Sequence, residues 1–152
     1  KLWDIRTSCQ AVHTMRGKSI STLAVNPSAR NLIFASGTAD GDIDIWDIRK
    51  IDAPVKAWPE SHGQLSGLSR PVWALQWRNE TTLLSTSPQD FFLRIWDTLA
   101  PSSNENDTPQ ERLRIPLEAG VKVVDFAVDG EENRVAIINP ARITILRIGD
   151  EV

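Results

Sequence analysis

Residues 32–49 read LIFASGTADGDIDIWDIR. The stretch opens on a short apolar run, LIFAS, and closes on a second run, IDIWDI, in which apolar and polar residues alternate. Between them Thr38-Ala39-Asp40-Gly41-Asp42 has the composition of a tight turn. A period of two fits strands rather than helices, and so dense an apolar run fits a strand buried on both faces. The stretch therefore predicts two strands joined by a short turn.

Working outward, the ending of this stretch recurs. KLWDIR begins at Lys1 and FLRIWDT at Phe92, which sets Trp3, Trp46 and Trp96 at spacings of 43 and 50 residues. Another 50 residues lead to Leu146 in ITILRI, where the pattern persists without the tryptophan. The preceding stretches repeat too. ISTLAVN, PVWALQWR and VVDFAV each meet a polar break, followed by LIFAS, LLSTS and VAII. After the tryptophan strands come weaker runs, AVHTM, VKAW and RLRI. Four short strands per unit with no helical stretch is the pattern of an all-β chain of propeller blades.

These residues resemble the WD-repeat β-propeller family, and the resemblance covers nearly the whole chain. The family places Asp six residues before the Trp and Ser or Thr four before that Asp; Asp40 and Ser36 stand so before Trp46, and Asp90 and Thr86 before Trp96. A buried indole N–H needs an acceptor, and a hydroxyl supplies it. In the family that hydroxyl is linked through a His to the turn Asp. Here the expected Gly-His reads Gly17-Lys18 and Gly67-Leu68. That leaves Lys18 pairing with Asp40, and His62 folding back from a longer loop, as candidate replacements. The last unit has Pro140, Ala136 and Leu146 at the three positions, so packing alone is expected to hold it.

The resemblance implies one propeller's C-terminal part over residues 1–152: the end of a blade at 1–19, blades at 20–58 and 72–116, and a degenerate last blade at 121–152 lacking its outer strand. Thirteen strands amount to about three and a half blades, too few to close a ring, so the remaining N-terminal half of the propeller is an expected partner. Residues 100–110 (APSSNENDTPQ) read as an insertion of disordered type.

Seventeen Lys+Arg against 20 Asp+Glu give a net charge of −3, which excludes nucleic-acid binding by bulk charge. The 41% hydrophobic and 24% charged composition is that of a globular chain, and no apolar run approaches the roughly 20 residues of a membrane span. Cys9 has no disulfide partner, and with only His13 and His62 beside it no zinc site is proposed. KLWDIRTSCQ lacks the features of a signal peptide, so a cytoplasmic or nuclear protein is expected. No phosphate loop, G-x-S-x-G or H-E-x-x-H occurs, so neither an enzyme nor a cofactor is expected. Asp40, Asp42, Asp44 and Asp47 read as turn and strand residues rather than a metal site. Trp73 and Trp77, four apart on a strand, are expected to share one packed face.

Arginine stands out. Trp3-Asp4-Ile5-Arg6 and Trp46-Asp47-Ile48-Arg49 repeat a W-D-x-R ending, which Leu99 breaks in the third unit. The pattern is similar to that of substrate receptors of cullin-4 ubiquitin ligases, in which such arginines face the adaptor; this implies a scaffold docking an adaptor through Arg6 and Arg49, beside Asp4 and Asp47. The rival is a structural propeller in a nuclear pore, coat or chromatin assembly. On the opposite face the family gathers the loops at 37–42, 59–70 and 87–91. There Lys18 and Arg70 are expected to form a basic contact for an acidic peptide. Both readings make other proteins the partners.

Overall fold

The computed structural model describes residues 2–3, 6, 11–13, 18–28, 32–65, 68–99, 111–117, 123–129, 131 and 133–149. Asp4, Cys9, Gly67 and the insertion at 100–110 lie outside the described residues. Among the described residues there is no helix.

Fifteen strands are present among these residues. β1 (Leu2–Trp3) pairs with β2 (Ala11–His13). A four-stranded antiparallel meander follows: β3 (Ile20–Val25), β4 (Ile33–Thr38), β5 (Ile43–Asp47) and β6 (Lys56–Trp58). β7 (Gln64–Leu65) and β8 (Leu68–Ser69) make a small hairpin. The second meander is β9 (Ala74–Trp77), β10 (Thr82–Ser87), β11 (Asp90–Asp97) and β12 (Glu111–Pro116). β13 (Asp125–Asp129), β14 (Arg134–Ile138) and β15 (Ile143–Arg147) form a three-stranded sheet. The hairpin β7–β8 is the one addition to the expected strands; residues 59–70 were expected to be loop throughout.

Side-chain alternation explains why the sheets stack. Ala74, Leu84, Leu93 and Ile95 of the second meander pack on Phe126, Val135 and Ile137 of the third sheet and on Val123 just before it. Their neighbours Leu75, Leu83 and Trp96 point the other way, into a core with Ala35, Ile43, Ile45 and Trp58 of the first meander. One sheet thus serves two cores, as dense apolar strands require. Each fully buried Leu or Ile there contributes about 1.5–3 kcal/mol of transfer free energy.

Polar bonds fasten the sheets as well. Trp77 Nε1–H donates to Ala24 O at 3.1 Å, and Asn26 Nδ2–H to Glu80 O at 2.9 Å. Toward the third sheet, Val128 N–H donates to Gln76 Oε1 at 3.1 Å, and Arg78 donates to Asn133 Oδ1 at 2.7 Å. The last sheet is therefore not held by packing alone; backbone amides and Asn133 supply partners that the Trp-centred pattern did not reveal.

Trp73 and Trp77 do not share a face. Trp77 is buried against the first meander, while Trp73 turns the other way and donates its indole N–H to Val124 O at 3.0 Å. β9 begins only at Ala74, and the alternation breaks between Trp73 and Ala74, both directed toward the third sheet.

Candidate functional site

The turn at one end of each sheet carries the candidate residues. In the first meander Trp46 lies opposite Phe34, and the rings stack with centroids 6.1 Å apart. Two residues beyond Phe34 on the same face stands Ser36, whose Oγ accepts the Trp46 Nε1–H at 2.8 Å. In the second meander Trp96 lies opposite Leu83, so the equivalent residue is Ser85, not Thr86. Ser85 Oγ accepts the Trp96 indole N–H at 2.7 Å. Thr86, expected in that role, is fully buried with its Oγ1 unpartnered. The tight connection that pairs Ser87 with Asp90 sets Ser85 five residues before that Asp, so counting back four lands one residue short.

His62 completes this chain. Its Nε2 lies 2.8 Å from Ser85 Oγ and its Nδ1 2.8 Å from Asp90 Oδ2. The donors run in one direction: the indole N–H to Ser85, the Ser85 hydroxyl to Nε2, and Nδ1–H to Asp90. That order requires a neutral imidazole. Burial pushes His62 below its ordinary value of 6.5, against the upward pull of Asp90. Burial works to raise the Asp90 carboxyl, but hydrogen bonds from His62 and Arg94 outweigh it and hold it low. Arg94 Nε–H reaches Asp90 Oδ2 at 2.5 Å and its Nη1 reaches Glu111 at 3.2 Å. Arg94 and Glu111 are members of the cluster that the sequence reading missed; Arg94 four residues after Asp90 on one strand was the available signal.

Ser85, His62 and Asp90 have the connectivity of a hydrolytic triad. Ser85 and His62 are 0% exposed and Asp90 2%, and the serine oxygen already holds the Trp96 N–H. A nucleophile must reach its substrate, and this one is sealed between two sheets. The chain locks the blade.

The first meander solves the same problem differently. Lys18, at the expected His position, ion-pairs with Asp42 rather than Asp40. The hydrogen bond that the Lys18 ammonium donates to Asp42 is the main reason it is held above its ordinary value. Asp40 is exposed in the turn, while Asp42 is buried and also accepts Glu60 N–H at 2.9 Å. Asp42 N–H in turn donates to Thr38 Oγ1 at 3.0 Å. Gly41, at φ 90°, closes the turn, and its carbonyl accepts Ser61 N–H at 2.8 Å. Residues 59–65 and 68–72 are thereby strapped across it, Val72 N–H reaching Thr38 O at 3.0 Å. Arg70, on this strap, places Nη1 3.4 Å from Asp90 Oδ1.

The acidic run disperses: Asp44 is half-buried, with burial raising its carboxyl, and Asp47 engages Arg49. Among the described residues no group of three or more His, Cys, Asp and Glu side chains is placed to hold a metal. Arg49 closes a fork on Asp47, Nη2 to Oδ2 at 2.6 Å and Nε to Oδ1 at 2.9 Å, at the far end of β5. Those bonds lower Asp47 to about 2. Arg6 is exposed, and Asp4 lies outside the described residues.

Comparison with known proteins agrees with this architecture. The WD40 family model, described as "WD domain, G-beta repeat", matches residues 9–47. The chain is 29% identical to the histone acetyltransferase type B subunit 2 of Candida glabrata, over 99% of this chain and 38% of that protein. It is 29% identical to the Homo sapiens GATOR2 complex protein WDR24, over 69% of this chain and 12% of that one. The β-propeller domain of Myceliophteria thermophila Cps50 (Swd1) superimposes with a TM-score of 0.66 at 16% identity, covering 91% of this chain and 37% of that domain. The chain thus spans less than two-fifths of the length of each. It is an all-β chain in which residues 9–47 match the WD40 repeat, folded as antiparallel blades like those of its WD40 β-propeller neighbours.

Proposed function

We propose that this chain is part of a non-enzymatic scaffold that holds proteins together in a larger assembly. The observation that carries the reading is where its polar chemistry goes. Among the described residues the one constellation with catalytic connectivity is buried and spent on locking a blade, while the strap at 59–65 and 68–72 and the sheet-end turns are pinned to a rigid frame. Loops positioned by a rigid scaffold are where binding concentrates. The names of two relatives, a histone acetyltransferase subunit and a GATOR2 complex protein, support membership of an assembly. Tagged intact protein, captured from cells and sized, is expected to co-fractionate with partners at fixed stoichiometry. A protein recovered only as a free monomer would overturn the reading.

A finer reading makes the scaffold a substrate receptor of a cullin-type ligase. It is favoured by Arg49, an exposed guanidinium held in a fixed fork by Asp47 at the rim. Planar charge of this kind suits a protein interface. Exchanging Arg6→Ala and Arg49→Ala together is expected to remove the ligase adaptor selectively from the captured set. Retention of every partner would favour the structural-subunit reading instead.

A further inference from the structure

The strap carries an incompletely used guanidinium three residues before an exposed indole. Arg70 is clamped through its backbone: its N–H bonds Gly63 O at 3.1 Å, and its carbonyl packs so closely on Gly41 that a Cβ there would sit 2.6 Å from it. Pro71 restricts it to extended geometry. Its side chain is far less committed. Among the described residues its one polar contact is the 3.4 Å approach to Asp90, and its buried Nε has no acceptor. Asp90 does not depend on it, since His62 and Arg94 already bind that carboxylate at 2.8 and 2.5 Å.

Three residues on, Trp73 is 53% exposed, a large value for an indole whose N–H is fixed on Val124 O. Both residues lie at the end of the sheets that carries the turns 39–42 and 88–89. Trp73 N–H bonds Thr86 O at 2.9 Å, and Arg70 reaches Asp90 beside the second turn. Lys18, expected to share the contact, is instead committed to Asp42.

We propose that Arg70 and Trp73 form a recognition point for a partner-protein segment carrying an Asp or Glu side chain, the carboxylate meeting the Arg70 fork and the flanking chain packing on the Trp73 ring. This rests on the scaffold reading. The Arg70 side chain is 22% exposed, so a carboxylate meets the outer edge of its guanidinium and not the buried Nε, and charge-assisted bonds of this kind are the strong ones. Arg and Trp are also the residues that most often dominate interface energetics. A single carboxylate fits better than a nucleic acid, because Asp40 and Glu60 are exposed on the same face and would repel a run of phosphates.

The test is a random 12-residue peptide display library panned on the intact protein, with enriched peptides measured against Arg70→Gln and Trp73→Leu. Enriched peptides are expected to share an acidic position. Affinity should fall at least tenfold in Arg70→Gln, in line with loss of a hydrogen bond to a charged group. Replacing the peptide's Asp by Asn should then cost nothing further in that variant, a coupling that a merely structural role of Arg70 would not produce. Acidic peptides that bind Arg70→Gln undiminished would overturn the proposal while leaving the scaffold reading intact. A library that yields no acidic binder would overturn the proposal, whereas the scaffold reading falls only if the protein is recovered from cells as a free monomer. A 20-nucleotide single strand that binds in an Arg70-dependent way, with no acidic peptide enriched, would overturn it in favour of nucleic acid.

Discussion

His62 and Asp90 stand 28 positions apart in the chain and are joined by a 2.8 Å hydrogen bond between two buried side chains. That bond fastens the strap after the first meander to the first residue of β11. Because Ser85 and Trp96 continue the same chain of donors, four side chains are satisfied together. Removing one member leaves its neighbours buried without partners, which costs more than the bond itself.

His62→Ala is therefore expected to destabilise the protein by about 3 kcal/mol, in the range for breaking a buried polar pair. Thr86→Val, one residue from Ser85, is expected to lie within about 1 kcal/mol of wild type or on its stable side, since the hydroxyl it removes has no partner. Urea unfolding of both variants checks the contrast. Equal losses would show that the Thr86 hydroxyl also has a partner in the folded protein.

The same cluster sets a pH dependence. Burial puts His62 below its ordinary 6.5, so between that value and its lower folded value the unfolded chain binds the extra proton. Stability from this group is present above about pH 6.5 and is lost as pH falls through the folded value. Asp90, held below its ordinary 3.8 by His62 and Arg94, adds a loss of the same sign at lower pH. The groups facing His62 are Asp90, Arg94 and Glu111, and none reverses that sign. Thermal midpoints from pH 8 to 5 should fall in the wild type and stay flatter in His62→Gln.

Much of the fold was legible because its signal is periodic. Trp46, Trp96 and the dense strands around them must alternate between two cores, and the sequence pattern carries that directly. What was not legible depended on register. Whether Ser85 or Thr86 meets Trp96 is decided by the tight β10–β11 connection, and whether Lys18 meets Asp40 or Asp42 by the turn at Gly41. Neither leaves a mark in residue type. Trp73 and Trp77 were misread for a similar reason, since an alternation rule assumes a strand that here begins only at Ala74. His62 in the role of the family's histidine required a long-range fold-back, visible in the sequence only as a longer loop.

Gly41 is the residue on which the strap turns. At φ 90°, with Arg70 O 2.6 Å from where a Cβ would stand, Gly41→Ala is both strained and blocked by backbone that cannot step aside. A loss of more than about 1 kcal/mol is expected. Hydrogen exchange should quicken most at the Ser61 and Arg70 amides, which close the strap on Gly41 O and Gly63 O. Uniform quickening across all sheets would show that Gly41 acts on the whole fold and not on the strap.

At the opposite rim the Asp47–Arg49 fork makes a cleaner electrostatic prediction. The Asp47 carboxyl titrates at about 2, chiefly because the Arg49 side chain and its amide bond it. In Arg49→Ala its midpoint should rise toward the ordinary 3.8, observable by carboxyl-carbon NMR titration. The Arg49 end of the pair is exposed to solvent, so unfolding midpoints at neutral pH should scarcely change. A carboxyl that stays near 2 without Arg49 would assign the effect to the backbone amide alone.

Asn26 and Arg78 occupy the same place in successive units, each just past the inner strand and each reaching the next sheet's first turn. Asn26 Nδ2–H bonds Glu80 O, and Arg78 bonds Asn133 Oδ1 at 2.7 Å while lying nearly buried. Asn133 sits at φ 54° and its carbonyl accepts Ile148 N–H, so Arg78 holds a strained turn that also anchors the chain after β15. Arg78→Leu keeps the apolar stem but abandons Asn133 Oδ1. The expected loss is about 2 kcal/mol, as for a hydrogen bond to a charged group whose partner stays behind. It should be local: amide exchange at Ile148 and Val135 should accelerate, while Ala35 and Ile45 in the first meander keep their protection. Should those first-meander amides open together with the last sheet, the sheets would unfold as one unit and the latch would have no local role.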